Sequence, residues 1–400
     1  MTEDPLGWVG PALASLAAAG LERRLVEASG AEQPWLELDG RRLLNLASNN
    51  YLGLAGSPAL RRAAISAIER YGCGGTASRL IVGNHPLYAA LEQELAAFKG
   101  TEAALVFGSG YAANVGVIPA LVGRDDLVLS DRANHASLID GIRLSGAVHR
   151  RYRHADPEHL RFLLDRWRGE HRRALIVTDT VFSMDGDFAP LEEIARLKRA
   201  YGAMWMVDEA HATGVFGPRG EGLAHELGIA EAVDVHMGTL SKACGGVGGY
   251  VAGRRELIQY LLQRARSLIY STALPPADVA VARAAIDAVR LADRERRHLN
   301  QISERFRTEL AAAGLAVGSS QSQIVPVMAG DNESAVRFAA AVRRRGIAAV
   351  AIRPPTVPEG TARVRFSLTA AHSEEEIGWA TAGIISAARE VGLIEGASPR

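Results

Sequence analysis

Short apolar segments alternate with amphipathic helical patterns through the middle of this chain. The unit first appears as EAALVFGSGYAANVGVIPALVG (residues 102–123), returns as DDLVLSDRANHASLIDGIRLSG (125–146) and continues through residues 172–217. Apolar runs of this length that are each followed by a helix are typical of strands in a parallel sheet with helices on both faces. The sequence therefore predicts an α/β fold with a mostly parallel sheet.

The length of the chain predicts more than one domain. Its 400 residues exceed the ~250–300 residues at which a single hydrophobic core usually stops growing. Towards the C-terminus the pattern changes to helix, strand, helix, strand and helix, which is typical of a smaller α+β domain. We predict an N-terminal helix and arm over residues 1–50, a large domain over residues 51–290 and a small C-terminal domain over residues 291–400.

Composition narrows the class of partner and the compartment. Lysine and arginine number 45, as do aspartate and glutamate, so net charge gives no reason to expect nucleic acid or a membrane surface, and a small-molecule substrate is expected. Cys73 and Cys244 lie far apart and form no C-x-x-C motif, which favours a cytoplasmic protein without a disulfide or a metal site. No apolar stretch approaches the ~18 residues of a membrane span.

Three chemically distinct groups each follow a predicted strand. Gly110 closes the turn Gly108-Ser109-Gly110, Asp208 ends the run MWMVD, and Lys242 follows VDVHMGTLS. Ligands of open α/β sheets bind outside the carboxyl ends of the strands, so these groups are expected to share a site. Glycine-exposed N–H groups at a helix start bind phosphate, a carboxylate keeps a pyridine nitrogen protonated, and a lysine binds an aldehyde. Together they predict a pyridoxal phosphate site.

Each residue also has an ordinary interpretation when it is taken alone. Lys242 could be a solvated surface lysine, Asp208 a helix cap, and His135 and His211 surface histidines. Within the predicted site, one histidine could donate to the ring hydroxyl of the cofactor and the other could lie against the ring. The glycine turn is neither G-x-G-x-x-G nor G-x-x-x-x-G-K-[ST], so binding of NAD or of a nucleoside triphosphate is disfavoured.

Four separated blocks carry a resemblance to a known family. FGSGYAAN, FSMDGDFAPL, VDEAHATGVFG and TLSKACGGVGGY resemble the α-oxoamine synthases, a branch of the fold type I pyridoxal phosphate enzymes, over about residues 20–390. The resemblance implies that Lys242 forms the Schiff base and that Asp208 pairs with the pyridine nitrogen. It further implies these cofactor contacts: His211 at the ring hydroxyl, His135 on the ring face, Ser183, and Gly110, Tyr111 and Thr239 at the phosphate.

The resemblance also implies the reaction and the assembly. Members of the family condense an amino acid with an acyl thioester and release carbon dioxide, with a role for Lys242 as the base that takes the Cα proton. Thr272 of YSTALPP would reach the phosphate of a neighbouring subunit, which implies a homodimer with shared active sites.

The C-terminal block AIRPPTVPEGTARVRFSLTAAH is similar to that of family members in biotin biosynthesis, which join L-alanine to a pimeloyl thioester. By this resemblance Arg353 would clamp the substrate carboxylate. Ser78 stands where glycine-using relatives carry threonine, which leaves room for the methyl group of alanine. Asp179 stands where relatives often have glutamate. Substrate contacts are also implied for Thr356, Arg23, Asn49 and His135.

Several alternatives stay open from the sequence alone. The chain could be a 2-amino-3-ketobutyrate ligase or another synthase that uses glycine or serine. It could also be a catalytically silent binding or regulatory protein with the same fold, although Lys242, Asp208 and His211 argue against silence. Arg23 could be a charge that stabilises the end of a helix. The acyl carrier could be coenzyme A or an acyl carrier protein.

Overall fold

The structure, a computed structural model, describes residues 4–30 and 32–395. Two compact units are present. The larger comprises Asn49–Ser183 and Asp187–Leu299, and the smaller comprises the described parts of Met1–Ser48, Met184–Gly186 and Asn300–Arg400. The domain boundaries predicted near residues 50 and 290 stay a prediction.

Strands and helices alternate through most of the described chain. The strands are β1 Ala28–Ser29, β2 Trp35–Leu38, β3 Arg41–Asn45, β4 Ala103–Phe107, β5 Leu127–Asp131, β6 Val148–Tyr152, β7 Ala174–Asp179, β8 Met204–Asp208, β9 Val235–Thr239, β10 Gly249–Gly253, β11 Ile324–Gly330, β12 Ile347–Ala348, β13 Val350–Ile352 and β14 Ala362–Ser367. The helices are α1 Val9–Ala18, α2 Pro58–Tyr71, α3 Pro86–Lys99, α4 Gly110–Leu121, α5 Ala136–Ser145, α6 Pro157–Trp167, α7 Leu191–Tyr201, α8 Leu223–Glu226, α9 Arg255–Arg264, α10 Arg266–Ile269, α11 Pro276–Leu291, α12 Asp293–Ala312, α13 Asn332–Arg344 and α14 Glu374–Glu390.

A seven-stranded sheet organises the larger unit. Its strand order is β4-β10-β9-β8-β7-β5-β6. Only β10 runs antiparallel to its neighbours, and the other pairs are parallel. The predicted α/β fold with a mostly parallel sheet is confirmed. The carboxyl ends of the six parallel strands therefore lie at one edge of this sheet, which is where polar residues can meet.

Close packing of α4 and α5 against this sheet builds a hydrophobic core in the larger unit. Val117 and Ile118 of α4 and Leu138 and Ile142 of α5 are almost completely buried, and each such side chain contributes about 1.5–3 kcal/mol. Gly141 allows the two helices to approach, because a Cβ atom there would lie 2.7 Å from the carbonyl oxygen of Asn114. The first turns of both helices are thereby held together beside the carboxyl edge of the sheet.

A buried ion pair fixes the chain directly after β8. The side chains of Lys99 and Glu209 are both fully buried, and the Lys99 ammonium donates to the Glu209 carboxylate and to the carbonyl of Glu221. Glu209 also accepts the N–H of Ala224 at 3.1 Å. Burial alone would raise the pKa of Glu209, but the charge of Lys99 holds that pKa well below its usual range. The position of Asp208, which precedes Glu209, depends on this pair.

The smaller unit contains two sheets of its own. One has the order β1-β2-β3-β12 and the other the order β11-β14-β13. Strand β14 is buried along its whole length, and its Arg363 forms an ion pair with Asp185. No helix in the described part of the chain is long and apolar enough to cross a membrane.

Removing Lys99 is expected to destabilise the protein strongly. Lys99→Met leaves the buried Glu209 charge without its partner, so the free energy of unfolding in urea should fall by about 3–5 kcal/mol. The double variant Lys99→Met/Glu209→Gln should show a smaller fall in the free energy of unfolding, because no unpaired charge remains. Arg166→Met is the control, since it removes an exposed pair with Glu170 and should change stability by less than about 1 kcal/mol. An equal fall in the free energy of unfolding in Lys99→Met and Arg166→Met would contradict the role given to the buried ion pair.

Candidate active site

A cavity of about 210 Å³ lies at the carboxyl edge of the seven-stranded sheet. The structure brings most of the predicted cofactor residues together around it: Gly110, Tyr111, His135, Asp208, His211, Thr239 and Lys242. Asn114, Ser137 and Ser241 also line the cavity and were not singled out from the sequence. The cavity lies wholly within the larger unit.

Lys242 lies at one end of a chain of hydrogen bonds. Its Nζ is 2.8 Å from Nε2 of His211, whose Nδ1 is 2.6 Å from the hydroxyl of Tyr51. The Tyr51 hydroxyl donates to the side-chain oxygen of Asn49 at 3.1 Å. With the tyrosine proton directed to Asn49, Nδ1 of His211 donates to Tyr51 and the lone pair of Nε2 faces Lys242. Tyr51 therefore sets the tautomer of the histidine beside the lysine.

The Asp208 carboxylate is buried and held on both oxygens. Oδ1 accepts the N–H of Ala210 at 2.9 Å, and Oδ2 accepts Nδ2 of Asn114 at 2.8 Å. The orientation of the Asp208 carboxylate at the cavity is thus fixed by these two contacts.

Asp179 fixes the backbone next to His135. The N–H of His135 donates to Oδ2 of Asp179 at 2.8 Å. Burial, together with the nearby charge of Asp208, raises the pKa of Asp179 well above its ordinary value. Burial is also the largest cause that lowers the pKa of His135. This contact gives Asp179 a positioning role, whereas its contact with a substrate stays a prediction.

The first turn of α4, which was predicted to bind a phosphate, lines the cavity. The Ser109 hydroxyl caps the helix by accepting the N–H of Ala112 at 3.0 Å, and the next residue, Gly110, approaches the sheet so closely that a Cβ atom there would lie 3.0 Å from Cε of Met237. Thr239 donates to the carbonyl of Gly248 at 2.9 Å.

The Thr239 hydroxyl is therefore already engaged. Its oxygen is 2.8 Å from the Ser241 hydroxyl, which therefore donates to Thr239 and also lines the cavity. The position of Ser241, next to Lys242 in TLSK, was the only signal that could have identified it.

The remaining predicted residues do not line this cavity. Ser78 and Thr272 pair with each other through an isolated β-bridge in the larger unit, and Ser183 lies in the loop that follows β7. Arg353 and two further predicted substrate residues, Arg23 and Thr356, belong to the smaller unit. The Arg353 guanidinium donates to the backbone carbonyls of Gly20 and Glu22. The substrate and subunit contacts inferred for these residues stay predictions.

A charged histidine fastens the loop that carries Ser183. The Nδ1 atom of His154 is 3.0 Å from Asp131, and its Nε2 atom is 2.9 Å from Asp187. The edge of the His154 ring packs on Phe182, with ring centroids 4.4 Å apart. Burial alone would lower the pKa of His154, but the hydrogen bonds to the two carboxylates raise it to about 10. His154 is therefore an imidazolium at neutral pH.

The donor set fits pyridoxal phosphate. An amine for the aldehyde, a carboxylate for the pyridine nitrogen and a helix N-terminus with hydroxyls for the phosphate surround one cavity. Among residues 4–30 and 32–395 no three histidine, cysteine, aspartate or glutamate side chains form a group that could hold a metal ion.

Comparisons with known proteins agree with this chemistry. The family model described as "Aminotransferase class I and II" matches residues 41–384. A protein of Geobacillus kaustophilus (strain HTA426) named "Putative 8-amino-7-oxononanoate synthase" is 55% identical over 372 residues, which are 93% of this chain and 94% of that protein.

Two solved structures extend the comparison. A serine palmitoyltransferase from S. paucimobilis with a bound PLP–myriocin aldimine has a TM-score of 0.92 and 32% identity and covers 98% of this chain and 100% of its own. An 8-amino-7-oxononanoate synthase from Francisella tularensis has a TM-score of 0.76 and 29% identity, and the match covers 87% of this chain and 98% of that chain.

Replacement of His154 should reduce the change in the free energy of unfolding that occurs between neutral and alkaline pH. The pKa of His154 is raised by folding, so its contribution to the free energy of unfolding is fully present below its unfolded pKa of about 6.5. That contribution is lost as the pH rises towards the pKa of the folded state. His154→Gln should lower the free energy of unfolding by about 1.5–3 kcal/mol at pH 6.5. The difference from the wild type should shrink as the pH rises to about 10. A difference that stays constant over this range in urea titrations would contradict the charged clamp.

Proposed function

The chain belongs to the class I and II aminotransferase family, and from that premise we propose that it is an 8-amino-7-oxononanoate synthase. It would condense L-alanine with a pimeloyl thioester, release carbon dioxide and the thiol, and so act in biotin biosynthesis. The observation that carries the proposal is the single cavity that Lys242, His211, Asp208 and His135 share. The G. kaustophilus relative supports the choice of reaction within the family.

The cofactor of this enzyme is pyridoxal phosphate, which when bound supplies an electron sink for the bonds at the Cα atom of an amino acid. Lys242 would hold its aldehyde, and Asp208 would keep its pyridine nitrogen protonated. His211 would contact the ring hydroxyl through Nε2, and His135 would cover the ring. The first turn of α4, with Gly110 and Tyr111, would bind the phosphate. The hydroxyls of Thr239 and Ser241 would exchange their present acceptors for phosphate oxygens.

Lys242 would act as the general base once the amino group of the substrate has displaced it. Its Nζ is held 2.8 Å from His211, and His211 is oriented by Tyr51. A neutral amine at this position can take the Cα proton and later return a proton to the product carbon. The hydrogen bonds between Tyr51 and His211 and between His211 and Lys242 would therefore keep Lys242 near the Cα atom of the substrate during both proton transfers.

Further residues are proposed to recognise the substrate. Arg353 would exchange the backbone carbonyls of Gly20 and Glu22 for the substrate carboxylate, which accepts stronger, charge-assisted hydrogen bonds. Ser78 would leave room for the methyl group of alanine, and a single methylene discriminates by only about 1–3 kcal/mol. Contacts with substrate are also proposed for Arg23, Asn49, His135 and Thr356, and with the cofactor for Ser183.

A homodimer with shared active sites is part of the proposal. Tyr270 and Leu144 are 72% and 68% exposed and line a groove of about 660 Å³. Ile81 and Val82 are 74% and 75% exposed on the turn Arg79–Gly83, which packs beside α10. Exposed apolar side chains that lie close together often mark a surface where proteins associate. We name these four residues the apolar patch and propose that a second copy covers it.

The apolar patch adjoins the residues proposed to be shared between subunits. Thr272 follows Tyr270 closely in sequence and pairs with Ser78, so a second copy on the patch would approach both. The exposed thiol of Cys73 is stable in a reducing compartment, and we therefore propose a cytoplasmic location.

A charge in the apolar patch should split the dimer. Tyr270→Glu places a carboxylate where a second copy would pack, so light scattering after size-exclusion chromatography should give the mass of one chain instead of two. Tyr260→Glu is the matched control, because Tyr260 is also exposed, at 45%, but lies on α9 outside the patch. A Tyr270→Glu variant with the same mass as the wild type would contradict the proposed interface.

Substrate preference tests the proposed reaction directly. The purified enzyme with pyridoxal phosphate is titrated spectrally with L-alanine, glycine and L-serine, and thiol release is then measured with pimeloyl, acetyl and palmitoyl thioesters on coenzyme A and on acyl carrier protein. The highest kcat/KM is expected for L-alanine with a pimeloyl thioester.

The structural likeness to serine palmitoyltransferase makes serine with a palmitoyl thioester the main competing pair. A higher kcat/KM for that pair, or for glycine with acetyl-coenzyme A, would refute the proposed substrate. The comparison of the two carriers identifies the natural acyl donor.

A further inference from the structure

Asn114 links two residues of the site through its side-chain amide. The residue is completely buried, and its Nδ2 donates to Oδ2 of Asp208 at 2.8 Å and to the hydroxyl of Ser137 at 2.9 Å. Both N–H bonds of the amide are thereby used. The reverse orientation would place the amide oxygen against the Asp208 carboxylate, so the negative charge sets the direction of the amide.

Ser137 connects the Asn114 amide to His135. Its hydroxyl is 2.7 Å from Nδ1 of His135, and its backbone N–H also points to Nδ1 at 3.3 Å. Because the serine oxygen accepts a hydrogen bond from Asn114, its single proton is directed to the imidazole. Nδ1 of His135 is therefore an acceptor, and the ring proton lies on Nε2.

The local fold leaves these side chains little freedom. Ser137 is 1% exposed in the first turn of α5, and His135 is the capping residue of the same helix. Gly141, one turn further on, permits the close contact between α5 and the backbone of Asn114. The geometry of the two helix starts places the amide between the carboxylate and the hydroxyl.

We propose that Asn114 and Ser137 are positioning residues that form a bridge from Asp208 to His135 and hold His135 neutral, with its proton on Nε2. The bridge rests on the proposed function in one respect, namely that Asp208 and His135 face the cofactor ring. A neutral imidazole on the face of a protonated ring avoids repulsion between two cations, while the same bridge donates to the carboxylate that balances the ring charge.

Several charged groups surround His135 and act on its protonation. Burial is the largest cause that lowers its pKa; the charge of Asp208 raises it, the charge of Lys242 lowers it, and Asp140 raises it. Asp179 accepts the backbone N–H of the same residue. Hydrogen bonds from Ser137 to Nδ1 favour the neutral ring as well, so the loss of the hydroxyl should raise the pKa of His135.

The tautomer can be read by nitrogen-15 NMR of the full chain without cofactor, which separates this proposal from any result on turnover. In the wild type, Nδ1 of His135 should be unprotonated and Nε2 protonated. Ser137→Ala should raise the pKa of His135 by about 0.4–1 unit, as expected from the loss of one hydrogen bond. Ser137→Thr keeps the hydroxyl and should leave the pKa near that of the wild type.

A protonated Nδ1 in the wild type would overturn the proposal, whatever the variants do, including a Ser137→Ala chain that fails to fold. An unchanged pKa in a folded Ser137→Ala variant would overturn it as well.

The Asp208 end of the bridge has its own test. Asn114→Ala should weaken binding of pyridoxal phosphate about tenfold or more, as measured by equilibrium dialysis, because Asp208 loses a hydrogen bond to its charged form. Asn114→Ser is the conservative comparison and should restore part of the affinity. Affinity in Asn114→Ala equal to that of the wild type would refute the link to Asp208. The assay with alanine and a pimeloyl thioester can fail without affecting either test.

Discussion

The buried charge that follows β8 is the constraint on which the site depends. Glu209 has no exposure to water, and Lys99 is the cation that allows it to remain ionised there. The carboxylate in turn binds the N–H of Ala224. These contacts hold the backbone directly after Asp208, so the orientation of that carboxylate is decided before any ligand binds. A preformed site of this kind loses little free energy in ordering when its ligand arrives.

The sequence could predict the sheet and the residues at its edge because both follow from local patterns. Asp208 and Lys242 come directly after apolar runs, and the chain places them around one cavity as expected. Asn114 and Ser137 could not be found in this way, because each lies inside a helical pattern and has no periodic signal. The importance of Asn114 comes from a contact with Asp208, 94 positions away. Only the packing of α4 on α5 reveals it.

The direction of β10 was not predicted from the sequence, although the length of its connection would have allowed it. Strand β9 ends at Thr239 and β10 begins at Gly249, and the connection that carries Lys242 contains no helix. A parallel neighbour requires a long crossover, so this short connection returns the chain antiparallel. The lysine therefore sits in a loop at the carboxyl edge and not within a regular element. For Arg353 the pattern indicated a substrate clamp, and the contacts with the carbonyls of Gly20 and Glu22 were not foreseeable.

The central claim is that Lys242 carries the cofactor. The chain has only two other lysines, Lys99 and Lys198, and both are engaged in ion pairs. Borohydride reduction of the protein loaded with pyridoxal phosphate makes the lysine–cofactor bond permanent, and peptide mapping by mass spectrometry then identifies the lysine. The account predicts a single modified peptide that contains Lys242. Modification of Lys99 or Lys198 in its place, or no modification of the folded protein, would contradict it.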